Sequence, residues 1–64
     1  MKTSWPELLG LPGVEAKSKI LEDNPKLEVV ILPVGSIVTA DFREDRVRVF
    51  VDSDGKVAQI PKIG

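Results

Sequence analysis

Sixty-four residues make one small domain, residues 1–64, which buries only about 60% of the surface its unfolded chain exposes and sits near the lower limit for folding unaided. The chain contains no cysteine and no histidine, which removes disulfides, thiolate chemistry, the usual general base and the usual metal ligand. A formal net charge of −1 gives no long-range pull toward nucleic acid or an anionic membrane.

Met1-Lys2-Thr3 starts like a signal peptide, but Ser4-Trp5-Pro6-Glu7 follows with no apolar core. No signal peptide is therefore expected in this chain, and no compartment is assigned. No run approaches the roughly 20 apolar residues of a membrane span. Trp5-Pro6-Glu7-Leu8-Leu9-Gly10 is a short apolar segment with a rigid proline and a terminating glycine. A single Trp in a small domain is expected to plug one end of the core. The alternative, a stacking platform for a base or sugar, calls for basic or aromatic neighbours that the sequence does not supply.

A helix is expected from near Gly13 to about Asn24. Val14, Ala16, Ile20 and Leu21 share an arc of roughly 160° on a helical wheel, with Lys17 snorkelling at its edge. Pro25 ends it, because the residue before a proline avoids the helical region. Pro12-Gly13 offers no side-chain cap to the first free N–H groups. Lys26 to Leu32 (KLEVVIL) is β-branched and nearly continuously apolar, the pattern of a central strand covered on both faces. Pro33 stops it.

From Asp45 to Asp52 the strand pattern is the cleanest in the chain: Val47, Val49 and Val51 alternate with Arg46, Arg48 and Phe50. Residues 34–45 lie between these strands without helical or strand periodicity, yet carry Ile37, Val38 and Phe42. A connection of that length inside a compact domain is functional or disordered, and the two arginines argue against disorder. Arg46 and Arg48 project from one face about 6–7 Å apart. Thr39 and Asp41, one residue on either side of Ala40, offer a hydroxyl and a carboxylate that suit a guanidinium fork. Phe50 shares the arginine face and needs apolar cover, for which Val38 and Leu32 are the candidates. Asp52-Ser53-Asp54-Gly55 then reads as a turn, with Asp-Gly its strongest signal. Lys56 to Ile60 is expected to return as a short antiparallel strand, and Pro61-Lys62-Ile63-Gly64 offers an α-carboxylate as a further acceptor for an arginine.

Three other chemistries fit poorly. Asp52-x-Asp54-Gly55 resembles a fragment of a calcium loop, but Ile63 stands where the closing Glu belongs. The four serines have no histidine and no Ser-x-x-Lys motif to activate them, so no enzyme activity is expected. Arg43, Arg46 and Arg48 with Phe42 and Phe50 sketch a nucleic-acid patch, but Asp41, Glu44 and Asp45 cancel its field.

The stretch PVGSIVTADFREDRVRVFVD resembles the reactive-site segment of the potato inhibitor I family of serine protease inhibitors, of the barley chymotrypsin inhibitor and eglin type. The similarity runs without a gap from Trp5-Pro6-Glu7-Leu8 to the Pro61–Gly64 tail, and Thr39, Asp41, Arg43, Arg46 and Arg48 carry it in combination. The resemblance implies an α+β domain in which one helix packs on a small mixed β-sheet, with the two main strands parallel and a long exposed reactive-site loop at about 34–45. It places the scissile bond at Ala40–Asp41, with Val38, Thr39, Ala40, Asp41 and Phe42 meeting the protease. Arg46 and Arg48 serve as donors to Thr39 and Asp41, and Phe50 and Gly64 as further support; Arg43 either joins them or faces the enzyme. The partner implied is a subtilisin-like, elastase-like or chymotrypsin-like serine protease, bound by a monomer that uses no cofactor or metal. The competing expectation is an engineered folding scaffold that keeps this fold and loop without useful inhibition.

Overall fold

The computed structural model describes residues 2–64. A single turn of 3-10 helix at Pro6–Leu8 leads to helix α1 (Gly13–Asp23), then strands β1 (Glu28–Pro33), β2 (Arg46–Val51) and β3 (Lys62–Ile63). The sheet order is β1-β2-β3, with β1 and β2 parallel and β3 antiparallel to β2. One helix on a small mixed sheet is therefore the architecture, as the resemblance implied. Glu28 lies beside Arg46 and Pro33 beside Val51 in the parallel register. Residues 34–45 accordingly run from one end of the sheet back to the other with no strand or helix of their own.

The period-two pattern of β2 divides the molecule. Val47 and Val49 are fully buried and join Trp5, Leu8, Ala16, Ile20, Leu27, Val29 and Val57 in one apolar core. Trp5 closes one end of it as expected, and its indole Nε1–H finds a partner, donating to Asp23 Oδ2 at 2.7 Å. The Trp5 main-chain N–H donates to the Pro61 carbonyl at 2.9 Å, tying the two ends of the chain together.

Three expectations change. First, Val14 is 73% exposed, whereas Gly13, Ala16 and Ile20 form the buried line of α1. The helix begins so close to the sheet that a Cβ at Gly13 would lie 2.8 Å from Val51 Cγ1 and 3.3 Å from Ile31 Cγ2. Gly13 thus occupies the packed position, and Val14 turns outward. The uncapped start is also real: Pro12 gives no side-chain cap, and the Gly13 N–H is met instead by the Gly55 carbonyl at 2.9 Å. Second, β1 is an edge strand, and β2 is the central one. Continuous apolarity reports that both faces are covered, and says nothing about pairing at the strand's edges. Third, Lys56 to Ile60 forms no strand. Val57 makes an isolated bridge to Val51 and the Ala58 N–H donates to the Phe50 carbonyl, but Ile60 is 47% exposed and pairing resumes only at Lys62–Ile63. The Asp52–Gly55 turn stands, with Gly55 at φ +77° and the Asp52 carboxylate accepting from the N–H groups of Asp54 and Lys56.

Gly13→Ala tests the close approach of helix and sheet. In an open helix this change gains up to about 1 kcal/mol. Here the new methyl meets two β-branched side chains with little rotamer freedom, and overpacking costs about 1–3 kcal/mol. The expected outcome of urea unfolding is a net loss of about 1 kcal/mol; a gain would show that the helix lifts off at no cost.

Candidate functional site

Both ends of the 34–45 segment are pinned to the sheet. At its start, the Val34 N–H donates to the Val51 carbonyl at 2.9 Å. Gly35 adopts φ +88°, a conformation that glycine reaches without the steric cost of a side chain. The Ser36 hydroxyl and N–H then both donate to the Pro33 carbonyl, at 2.6 and 3.1 Å. At its end, the Glu28 N–H donates to the Asp45 carbonyl at 2.7 Å. Arg43 completes this second anchor. Its Nε and Nη2 donate to the two carboxylate oxygens of Asp45 at 3.1 and 3.0 Å, and its Nη1 lies 3.3 Å from Glu28 Oε2. Its hydrogen bonds thus secure the loop's exit rather than Thr39 or Asp41. The Asp45 carboxyl is held below its usual range chiefly by this guanidinium, whose own pKa rises in return.

Between the anchors, Ile37 to Phe42 stand exposed. Ile37 is fully exposed, Phe42 73% and Val38 39%. Three exposed large apolar side chains grouped within six residues make this segment the candidate surface for a partner. Ile37, which is not among the contact residues expected from the sequence, is the most exposed of the three.

The two strand arginines reach this segment from beneath. Arg48 Nη2 donates to the Thr39 hydroxyl oxygen at 2.9 Å and lies 4.0 Å from Asp41 Oδ1. Arg46 Nη1 donates to Asp41 Oδ2 at 3.4 Å, and its Nη2 donates to the Asp41 main-chain carbonyl at 2.7 Å. The backbone contact is the shorter of the two, and it was not foreseen, because sequence patterns show side-chain acceptors and not carbonyls. The Arg46 side chain is only 10% exposed. It escapes the penalty of an unpaired buried charge through a third bond, from Nε to the Gly64 main-chain oxygen at 2.9 Å. The Gly64 N–H donates back to the Arg46 carbonyl at the same distance. Phe42 bends over this tail: a Cβ at Gly64 would sit 3.9 Å from the edge of its ring. Phe50, half-buried, lies beside Leu32 in register.

The Thr39 hydroxyl accepts from Arg48. The same hydroxyl is the main cause holding the Asp41 carboxyl below its usual 3.8, with the Arg46 charge adding to it. Donors and acceptors thus form a ring around the unsupported residue, Ala40. These contacts exclude a freely solvated arginine face.

Comparison with known proteins assigns the domain. The model of the potato inhibitor I family matches residues 1–64. The chain belongs to that family. Among its relatives, the Glu S. griseus protease inhibitor of Momordica charantia is 56% identical over 63 residues, 98% of this chain and 93% of the relative. The subtilisin inhibitor CLSI-I of Canavalia lineata is 49% identical over 98% of this chain and 95% of its own length. The crystal structure of bitter gourd trypsin inhibitor superposes with a TM-score of 0.95 at 52% identity, covering 98% of this chain and 93% of that one.

The depressed Asp41 carboxyl fixes a pH window for the potato inhibitor I loop. A carboxyl with a folded-state pKa below its unfolded value contributes order above the unfolded value, and loses it as pH falls through the folded one. The Thr39 and Asp41 amide resonances should therefore hold steady from neutral pH down to about the usual 3.8. Below it they should move together toward random-coil positions. Asp45 titrates in the same direction, so Asp41→Asn is the control: it should abolish the Thr39 shift while leaving that of Arg43.

Proposed function

We propose that this protein is a serine endopeptidase inhibitor that presents residues 34–45 as a substrate-like loop, with Ala40–Asp41 as the bond offered for cleavage. The observation that carries this reading is the grip on both sides of that bond: Arg48 on Thr39 before it, and Arg46 on the Asp41 carbonyl and carboxylate after it. Relatives named as subtilisin and protease inhibitors across nearly the full length of the chain support it.

A protease reads an extended backbone and attacks the carbonyl of the residue in its specificity pocket. A loop already held in its bound form loses little conformational entropy on docking. When the catalytic serine Oγ bonds to the Ala40 carbonyl carbon, the C–N bond to Asp41 breaks, and the nitrogen leaves as an amine after taking a proton. In an ordinary substrate that amine diffuses away and water completes hydrolysis. Here the Asp41 carbonyl stays bonded to Arg46, and Arg46 to the Gly64 tail. The amine therefore remains beside the acyl group and religation competes with water. Gly64 and Phe50 act from below, and Arg43 acts as the exit anchor.

Ala40 sets the target class. Its single methyl lacks about three heavy atoms that a Leu would place in a deep pocket. At about 0.8 kcal/mol per buried methylene, the deficit is roughly 2 kcal/mol, or about thirtyfold in affinity. Elastase-like and subtilisin-like enzymes should bind more tightly than chymotrypsin, and trypsin weakly, because residue 40 carries no cation. Ala40→Leu should tighten chymotrypsin binding by about tenfold or more with little change in melting temperature, since residue 40 is exposed. Inhibition constants against the four enzymes check this. Trypsin as the tightest target would overturn the placement of the scissile bond, and no inhibition of any of the four would reduce the domain to a scaffold.

Arg48→Ala separates an inhibitor from a substrate. Val47 and Val49 still carry the core, so the variant should remain folded, with global stability lowered by about 1 kcal/mol or less. Hydrolysis between residues 40 and 41 by subtilisin, followed by mass spectrometry, should nevertheless run at least about tenfold faster than in the parent, as expected for the loss of one charged hydrogen bond of roughly 1.5 kcal/mol during the slow step. Equal rates would show that the arginine does not secure the loop.

A further inference from the structure

Beneath the loop, on the arginine face of the sheet, lies a half-open cleft of about 130 Å³ lined by Arg48, Phe50, Gln59, Ile60, Lys62 and Gly64. None of the loop residues from Ile37 to Phe42 lines it, so it is distinct from the surface offered to a protease. It lies where pairing lapses: between the Ala58 N–H bond to the Phe50 carbonyl and the ladder at Lys62–Ile63, Gln59 and Ile60 are exposed and unpaired.

Its chemistry is asymmetric. Phe50 and Ile60 supply an aromatic and an aliphatic wall, while Arg48 and Lys62 supply two cations. Among the described residues Lys62 makes no ion pair, and Arg48 engages the loop through Nη2 alone. Its Nε and Nη1 make no hydrogen bond, yet among the described residues no side-chain nitrogen is both buried and unpartnered. These two donors are therefore not fully enclosed, on a side chain that is itself 18% exposed. A partly desolvated guanidinium with two donors not engaged in hydrogen bonds, beside the Lys62 ammonium and a half-buried aromatic ring, is a receptor for an anion with an apolar body. The size is that of one ring: an apolar cavity of about 150 Å³ takes up benzene.

We propose that this cleft is a binding site for a small aromatic monocarboxylate. The carboxylate meets the unengaged donors of Arg48 and the Lys62 ammonium, and the ring lies against Phe50 and Ile60. Because Nη2 keeps its bond to Thr39, the ligand enters without dislodging the loop. The site stands or falls independently of the inhibitor reading, since it is tested on the free domain.

The probe is sodium benzoate at neutral pH, titrated into the uniformly labelled protein and followed by NMR. The expected result is a saturable shift of the Gln59, Ile60 and Lys62 amides together with the Arg48 Nε–H, the amides of Gly13 to Asp23 staying still. Lys62→Gln, an exposed change that leaves the fold intact, should weaken the apparent affinity by up to about fivefold, the worth of one exposed ion pair. Benzyl alcohol, which keeps the ring and lacks the charge, should produce no saturable shift, and sodium acetate, which keeps the charge and lacks the ring, should be weaker than benzoate. Equal responses to benzoate and benzyl alcohol would overturn the cationic half of the proposal. Shifts that rise linearly to the solubility limit of benzoate would overturn the site itself.

Discussion

A parallel strand pair joined without a helix must throw its connection back along the full height of the sheet, and this constraint shapes the rest of the molecule. The connection leaves at Pro33, beside Val51, and must land at Arg46, beside Glu28. Five strand steps separate those levels, about 17 Å. The twelve residues 34–45 can stretch to roughly 40 Å. The connection is therefore slack by about a factor of two and has to bow out from the sheet. A bow of that length with exposed Ile37, Val38 and Phe42 would sample many conformations unless it were tied. This chain has no cysteine, and the ties are guanidinium hydrogen bonds.

Arg46 shows why arginine suits the task. Its five donors sit in a rigid fork, and the structure uses three edges of it at once: the Asp41 carbonyl, the Asp41 carboxylate and the Gly64 oxygen. A lysine at this position could place a charge near Asp41 but could not span the loop and the Gly64 tail together. Exposed ion pairs contribute little individually to folding, and Asp41 is half exposed. The ring of contacts through Thr39, Asp41, Arg46 and Arg48 therefore matters less for whether the domain folds than for where residue 40 sits. That division explains how a domain this small can carry a polar, water-facing apparatus without losing its core.

Much of this was legible in the sequence. The alternation in β2 is unambiguous because a half-buried strand has to repeat every second residue, and Trp5 could plug only the core. Thr39 and Asp41 could be matched to Arg48 and Arg46 because both partners are side chains. What escaped reading depended on the backbone or on close packing. The Asp41 carbonyl has no signature of its own, and the clearance of 2.8 Å at Gly13 exists only once helix and sheet have met. The edge position of β1 was hidden by its apolar composition, and Lys56–Ile60 looked like a strand although only Val57 bridges Val51 and only the Ala58 N–H reaches the Phe50 carbonyl. Arg43 stands so close in sequence to both possible roles that only its bonds to Asp45 and Glu28 distinguish them.

The two functions of β2 are held in phase by its core face. Val47 and Val49 are fully buried, so a slip of one residue against β1 would expose them and drive Arg46 and Arg48 into the core. The cost of burying two unpaired guanidinium groups far exceeds anything the loop contacts contribute. The valines therefore fix the register, and the register aims the arginines at residues 39 and 41. The position of the loop's ties thus depends on two valines buried in the core on the opposite face of the strand.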